Sequence, residues 1–260
     1  MNTHSTFILT PLSSLLEDAS TIIKQVDWHM KTMFLVDHLL GSLFLKMTGS
    51  QEQKFKCLVW EIGAADLEYR YKTIFKSWDY GECSTLTAKN MILSQLYNST
   101  RKFSWNKDAP LITIDRVSIL FENAKKEVES FYEMALHGFA LQREYNDFKR
   151  LWDSKYYLID SIYVITNSKN GEKFTLGKNE ENIKEADRKK LMFGSVYEML
   201  YEYRNLCAHN FKIQNNNPYN LSSMSQKRYV ADNYLFRFAT LMLIDEIIIE
   251  LYQKFYDATY

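Results

Sequence analysis

Residues 234–255 read YLFRFATLMLIDEIIIELYQKF, and this stretch decides the fold class. Apolar and aromatic side chains occupy most of its positions, so a helix formed here is apolar on most sides. One narrow polar stripe remains, which is made by Glu246, Glu250, Lys254 and Asp257. The stretch therefore predicts a helix over about 227–256 that is central to a helical bundle or partly covered by another chain.

The composition of the whole chain also indicates helices. Among 260 residues there are only 8 Gly and 3 Pro, and so few backbone breakers favour long helices with short connections. The chain has 18 Tyr and 16 Phe, so the core is expected to be rich in aromatic side chains. We expect one all-α domain over 1–260, in which N-terminal helices over about 1–110 precede a core bundle over about 115–260.

Apolar residues at three- and four-residue spacings predict the helices of the first half. One helix, continuous or divided near Asp27, is expected over 12–47 and should end at Gly49. A second helix is expected over about 51–77, and a short third helix over 87–97 follows a capping pair at Ser84 and Thr85.

The second half continues the helical pattern with one interruption. From Asp115, the expected N-cap, the pattern runs to about Ile165, with a kink near Gly138 or Asp147 because so long a helix is rare. Residues 162–177 alternate differently and predict a small hairpin or, equally well, a loop. A helical pattern then resumes over about 181–209.

Charge and cysteine content exclude some classes of function. The chain has 32 Lys and Arg and 32 Asp and Glu, so it lacks the globally basic surface of many nucleic-acid-binding proteins. A local basic cleft between two chains is still compatible with this balance. Three cysteines without a C-x-x-C pair argue against a disulfide framework or a zinc site, and for a reducing compartment. With no signal peptide and no membrane-spanning run, the chain is expected to be cytoplasmic.

The segment Tyr201–Asn210 reads YEYRNLCAHN and carries the functional signal. It resembles the R-x4-6-H signature of the HEPN superfamily. Its R-N-x-x-A-H form is similar to that of the Abi-like abortive-infection proteins of phage defence. The resemblance covers about 181–256. It implies a HEPN-type helical bundle with extra N-terminal helices, and a metal-independent endoribonuclease that acts as a toxin or defence effector without a cofactor.

The residue types suit this chemistry. RNA carries its own nucleophile, the 2′-OH, so neither a metal nor a covalent intermediate is required. His209 can transfer a proton near neutral pH, and Arg204 can bind the phosphate and stabilise the negative charge of the transition state. On a helix, Asn205 and His209 lie one turn apart, so Asn205 can orient the imidazole. The expected catalytic residues are thus Arg204, Asn205 and His209, and the expected products carry 2′,3′-cyclic phosphate and 5′-OH ends.

Partners follow from the same resemblance. HEPN ribonucleases place two motifs in one RNA cleft by forming a homodimer, which supplies a second proton-transfer group. Asn210 and Lys212 are expected to contact the RNA, Lys212 through a phosphate. Some HEPN toxins carry a tyrosine, two residues after the histidine, that an antitoxin modifies. Phe211 occupies that position here, so regulation by this modification is not available. The sequence does not identify which antitoxin or other regulatory protein would control the chain.

Two other interpretations of the motif remain. The chain is a HEPN-like binding or dimerisation module without turnover, or the motif is only a helix C-terminus, in which His209 favours the helix dipole and Asn205 caps the last turn. A separate prediction concerns Asp245, which lies off the polar stripe of its helix. It could bond to motif residues, to Arg237 or to a buried hydroxyl, and it is not among the expected site residues.

Overall fold

A computed structural model describes most of the chain. The described residues are 3–27, 32–71, 83–105, 111–138, 141–153, 162–167, 171–176, 200, 201, 203–205, 207, 208 and 233–260. Over these residues the chain is helical apart from one two-stranded hairpin, which confirms the all-α prediction.

The elements follow one another in simple order. The α-helices are α1 (Thr3–Leu9), α2 (Ser13–Ile23), α3 (Met33–Ala65), α4 (Leu67–Tyr69), α5 (Leu86–Phe103), α6 (Ile114–Phe131), α7 (Gln142–Asp153) and α8 (Tyr234–Thr259). A π-helical turn, Tyr132–Leu136, extends α6. The antiparallel hairpin pairs β1 (Ile162–Asn167) with β2 (Gly171–Leu176), in a register that places Ile162 opposite Leu176, and β2 lies against α5.

Helix α8 is the centre of the bundle, as its sequence predicts. It packs against α1, α3, α5, α6 and α7, and sixteen of its 26 residues are buried. Asn233 caps its first turn, because the side-chain oxygen accepts a hydrogen bond from the Phe236 N–H at 3.1 Å. The predicted start near residue 227 lies outside the described residues.

Helix α3 corrects the prediction for the first half. The expected stop at Gly49 is wrong, because one helix runs from Met33 through Gly49 to Ala65. Buried residues on both sides of the glycine, Met47 and Gln51 among them, hold the helix together by packing. The expected second helix is thus the end of α3. It stops at Asp66, whose carboxylate caps α4 by accepting from the N–H groups of Glu68 and Tyr69.

The middle helices confirm the predicted cap at Thr85 and correct two other predictions. Thr85 caps α5 as expected, but α5 extends to Phe103 because Ser99 and Thr100 are buried within the bundle. The N-cap of α6 is Thr113, whose hydroxyl accepts from the Arg116 N–H, and Asp115 lies inside the first turn.

The long helical pattern after Asp115 divides into separate elements. It breaks at the π-helical turn and Gly138, as predicted, and resumes in α7. Helix α7 ends at Asp153, so the expected continuation to residue 165 is wrong for 162–165, which form part of β1. The ladder between β1 and β2 corresponds to the hairpin of the two alternatives for 162–177.

Asp245 has a partner that its sequence position does not reveal. Its Oδ1 lies 2.5 Å from the Lys54 Nζ of α3, and its Oδ2 accepts from the Leu12 N–H at 2.8 Å. The partners considered from the sequence, namely motif residues, Arg237 and a buried hydroxyl, did not include Lys54. This pair joins α3 and α8 to the connection between α1 and α2.

Among the described helices, none combines the length and the apolar character that crossing a membrane requires.

Candidate site around Arg204

The motif segment is helical wherever it is described, at residues 200, 201, 203–205, 207 and 208. Leu200 and Cys207 are buried, Tyr203 is half-buried and Asn205 is exposed. One face of this helix therefore packs on the core, and the face with Asn205 meets solvent. Arg204 lies between the two and keeps 27% of its side-chain surface exposed.

Tyr203 anchors the motif segment to α8. The Arg237 Cζ lies 3.3 Å from the centroid of the Tyr203 ring and 5.1 Å from that of Tyr234, so the guanidinium contacts both aromatic rings. The hydroxyls of Tyr203 and Tyr234 are 3.2 Å apart. Because cation–π contacts strengthen when they are desolvated, the buried Arg237 fixes the rotation of the motif helix. Arg204, the residue after Tyr203, contacts Glu52 of α3.

Glu52 of α3 holds Arg204. The Arg204 Nη2 lies 3.3 Å from each carboxylate oxygen of Glu52, while its Nη1 donates to the Asn205 Oδ1 at 3.1 Å. The Tyr201 hydroxyl donates to the same Glu52 carboxylate. Arg204 and Tyr201 reach one carboxylate together because residues three apart share a helix face.

Lys89 of α5 supplies a second cation. Its Nζ lies 4.8 Å from the centroid of the Tyr201 ring and 5.7 Å from that of Phe55. Burial lowers the pKa of Lys89 to about 8, with Arg204 adding to the decrease and Glu52 opposing it. Lys89 is therefore mainly charged at pH 7.

We call Glu52, Lys89, Tyr201, Arg204 and Asn205 the Arg204 cluster. Burial, and then the hydrogen bond to Glu52, raise the pKa of Tyr201, so its hydroxyl stays protonated and remains a donor. At pH 7 the cluster holds two positive charges and one negative charge, together with amide and hydroxyl groups. Such a set can bind an anion at the partly exposed Arg204.

The structure describes only part of the predicted site. It brings Arg204 and Asn205 together, whereas His209, Asn210 and Lys212 lie outside the described residues, and their roles stay predictions. Glu52 and Lys89 are additions that sequence reasoning missed. Tyr201 carried a usable signal, since it precedes Arg204 by three positions on one helix. Glu52 carried none, because it is separated from Arg204 by 152 residues.

A metal site or a second ligand site has less support among the described residues than the Arg204 cluster has. In the described part of the chain, no group of three or more His, Cys, Asp or Glu could hold a metal ion. A cavity of about 230 Å³ lies elsewhere, lined by Asp66, Glu68, Tyr69, Gln95, Asn98, Ser99 and Lys102. Its buried carboxylate, Asp66, already caps α4 and pairs with Lys102 at 3.0 Å. This arrangement is explained by helix capping and needs no ligand.

Comparisons of the chain with protein-family models, with curated proteins and with solved structures found no match. A functional proposal therefore depends on the motif and on the contacts of the Arg204 cluster.

Proposed function

We propose that the chain is a HEPN-type endoribonuclease that cleaves RNA without a metal ion and leaves 2′,3′-cyclic phosphate and 5′-OH ends. The observation that supports this most directly is the position of Arg204 and Asn205. They lie side by side at the solvent edge of a helix that Tyr203 and Arg237 anchor to the core. A firmly held guanidinium beside solvent suits the recognition of a phosphate.

Each residue of the motif has a role in this proposal. Arg204 binds the scissile phosphate and stabilises the negative charge of the transition state. His209 transfers the proton of the 2′-OH or of the leaving 5′-oxygen, and Asn205 orients its imidazole. Asn210 and Lys212 contact the RNA. Glu52 and Tyr201, which the motif does not contain, hold Arg204 from the side of α3.

A homodimer completes the proposed site. One motif offers one histidine, so two motifs facing a single cleft supply both an acid and a base. Two copies of Arg204 and Lys89 would also concentrate positive charge in a protein whose net charge is zero. The biological role that fits is a cytoplasmic toxin or phage-defence effector, with an antitoxin or another regulatory protein as its partner.

One observation favours a second candidate. Arg204 already forms an ion pair with Glu52 within the chain, so the motif could serve only to join the motif helix to α3. The chain would then be a HEPN-like binding or dimerisation module without turnover.

The test is cleavage of labelled total RNA and tRNA in the presence of EDTA. Wild type should cleave and leave cyclic phosphate ends, whereas Arg204→Ala and His209→Ala should be slower by about 100-fold or more. Arg143→Ala and His137→Ala change exposed residues of the same types elsewhere, and both should cleave like wild type. Circular dichroism and the oligomeric state of each variant verify that it is folded.

Other results would contradict the proposal in distinct ways. A folded wild-type dimer that never cleaves would favour the binding module. Cleavage that persists in both motif variants would remove the motif as the site. Expression provides an independent check, because the wild type should arrest growth of its host and His209→Ala should relieve the arrest.

A further inference from the structure

Arg204 is already occupied by acceptors of its own chain. Its Nη2 is 3.3 Å from both oxygens of Glu52, and its Nη1 is 3.1 Å from the Asn205 Oδ1. A phosphate binds a guanidinium best through two parallel N–H donors. A phosphate of RNA that binds Arg204 through two donors must therefore share at least one terminal nitrogen that now donates to Glu52 or Asn205.

Glu52 can release Arg204 without losing its own position. Its carboxylate also accepts the Tyr201 hydroxyl, which stays protonated. Lys54, two residues further along α3, forms a buried ion pair with Asp245, and this pair holds the same part of α3 in place. Glu52 is also shielded from solvent, with 15% of its side-chain surface exposed, so water and salt weaken its attraction for Arg204 less than at an open surface.

The net positive charge of the Arg204 cluster favours replacement of the Glu52 carboxylate by a phosphate. Lys89 and Arg204 carry two positive charges, and Glu52 neutralises one of them. Removing the charge of Glu52 would make the cluster more positive and would leave Arg204 without a carboxylate, and it would also lower the pKa of Lys89.

We propose that Glu52 is an internal competitor for the phosphate that Arg204 binds, and that it thereby sets the affinity of the site for RNA. This inference takes its ligand class, RNA, from the proposed function. In the exchange, the phosphate replaces the Glu52 carboxylate on Arg204, while the Tyr201 hydroxyl keeps that carboxylate in place.

The experiment measures binding without cleavage. A fluorescein-labelled 2′-O-methyl RNA lacks the free 2′-OH nucleophile, so its binding to the full chain can be followed by fluorescence anisotropy at one salt concentration. Glu52→Gln keeps the shape of the side chain and an acceptor for Tyr201, and should tighten binding by about tenfold, which equals 1.4 kcal/mol. Glu52→Asp, which retracts the charge, should give a smaller gain in affinity. Glu52→Asp can also test the competition if the Gln variant fails to fold.

Matched variants isolate the competition. Glu17→Gln removes one exposed negative charge from α2 and should leave the affinity within about twofold of wild type, since distant exposed charges are screened. Glu52→Gln combined with Arg204→Ala should lose the gain, because no guanidinium remains to be released. A gain that persists in this double variant would reduce Glu52 to a general charge effect and overturn the proposal.

The remaining outcomes separate this inference from the proposed function. Unchanged, weaker or undetectable binding by folded Glu52→Gln would overturn the competition, whether or not wild type cleaves RNA. Tighter binding, without cleavage of unmodified RNA by any variant, would support the competition and reject the ribonuclease. Cleavage by wild type with no effect of Glu52→Gln on binding would leave the ribonuclease and remove the competitor.

Discussion

The ammonium of Lys54 and the carboxylate of Asp245 form an ion pair of 2.5 Å in which both side chains are 2% exposed. Lys54 also donates to the Thr10 carbonyl at 2.5 Å, and Asp245 accepts from the Leu12 N–H. Burial lowers the pKa of Lys54 and raises that of Asp245, and their mutual attraction opposes both shifts. The pair fastens the connection between α1 and α2 to the two longest helices.

Removing one side chain of this ion pair should lower the free energy of unfolding far more than removing both. Lys54→Met leaves Asp245 as a buried, unpaired charge and should reduce the free energy of unfolding by about 3–5 kcal/mol. Lys54→Met with Asp245→Leu should recover much of that loss, since no unpaired charge remains. Urea unfolding measures both. Arg150→Met, which breaks an exposed ion pair with Asp147, is the control and should change stability by less than about 1 kcal/mol. A double variant less stable than Lys54→Met would contradict this account.

Glu246 should make stability depend on pH. Burial, and then the nearby charges of Glu127 and Asp245, raise its pKa from 4.5 to about 7. Between these two values the folded chain binds a proton that the unfolded chain has released. The contribution of Glu246 to stability is thus complete below pH 4.5 and is lost as pH rises through 7.

Glu246→Gln removes that titration. The variant should be more stable than wild type at pH 8 by up to about 3 kcal/mol, the equivalent of a pKa displaced from 4.5 to about 7. The difference should shrink towards zero at pH 4.5. Urea unfolding across this range measures it, with Glu17→Gln as the exposed control. An advantage that does not vary with pH would show that Glu246 is not the titrating group.

Gly49 is a site where the chain should gain stability. It is exposed in the interior of α3, and no atom lies within 4 Å of the position that a Cβ would take. Gly49→Ala should raise the free energy of unfolding by about 0.5–1 kcal/mol, because alanine loses less backbone entropy in a helix. Gly138→Ala is the matched control, since its Cβ also meets open space but the residue lies in a turn. Thermal unfolding measures both, and a lower Tm for Gly49→Ala would contradict the prediction.

Lys89 should give RNA binding a pH dependence. As pH rises past about 8, Lys89 loses its charge, the cluster becomes less positive, and Glu52 attracts Arg204 alone. The affinity for the 2′-O-methyl RNA should therefore fall by about three- to tenfold between pH 7 and pH 9, because the buried Lys89 loses its charge near the site. Lys89→Met should bind more weakly at pH 7 and should lack this fall. An equal fall in both proteins would exclude Lys89 as its source.

Local and periodic features were predictable from the sequence. The apolar stretch at 234–255 predicted the central helix, Thr85 predicted the cap of α5, and Gly138 predicted a break. The helix end predicted at Gly49 was wrong. A glycine destabilises a helix by about 1 kcal/mol, which is small compared with the stabilisation that tertiary packing gives a 33-residue helix. Asp245 was conspicuous as a charge in an apolar helix, yet its partner was not identifiable.

The candidate site divides in the same way. Arg204 and Asn205 are adjacent in a recognisable motif, and their proximity follows from one helix. Glu52 and Lys89 come from α3 and α5, so only the packing of three separate segments brings them to Arg204. Side chains that meet only through tertiary packing have no characteristic spacing by which a single sequence would reveal them.

The central position of α8 also has a consequence during translation. Helix α8 follows, along the chain, every helix that it covers, so a nascent chain exposes their apolar faces until α8 has emerged from the ribosome. Arg237 and Tyr234, which anchor Tyr203, are made after the motif they hold. For the proposed ribonuclease, this order of synthesis leaves the motif helix without its anchor until α8 has been made.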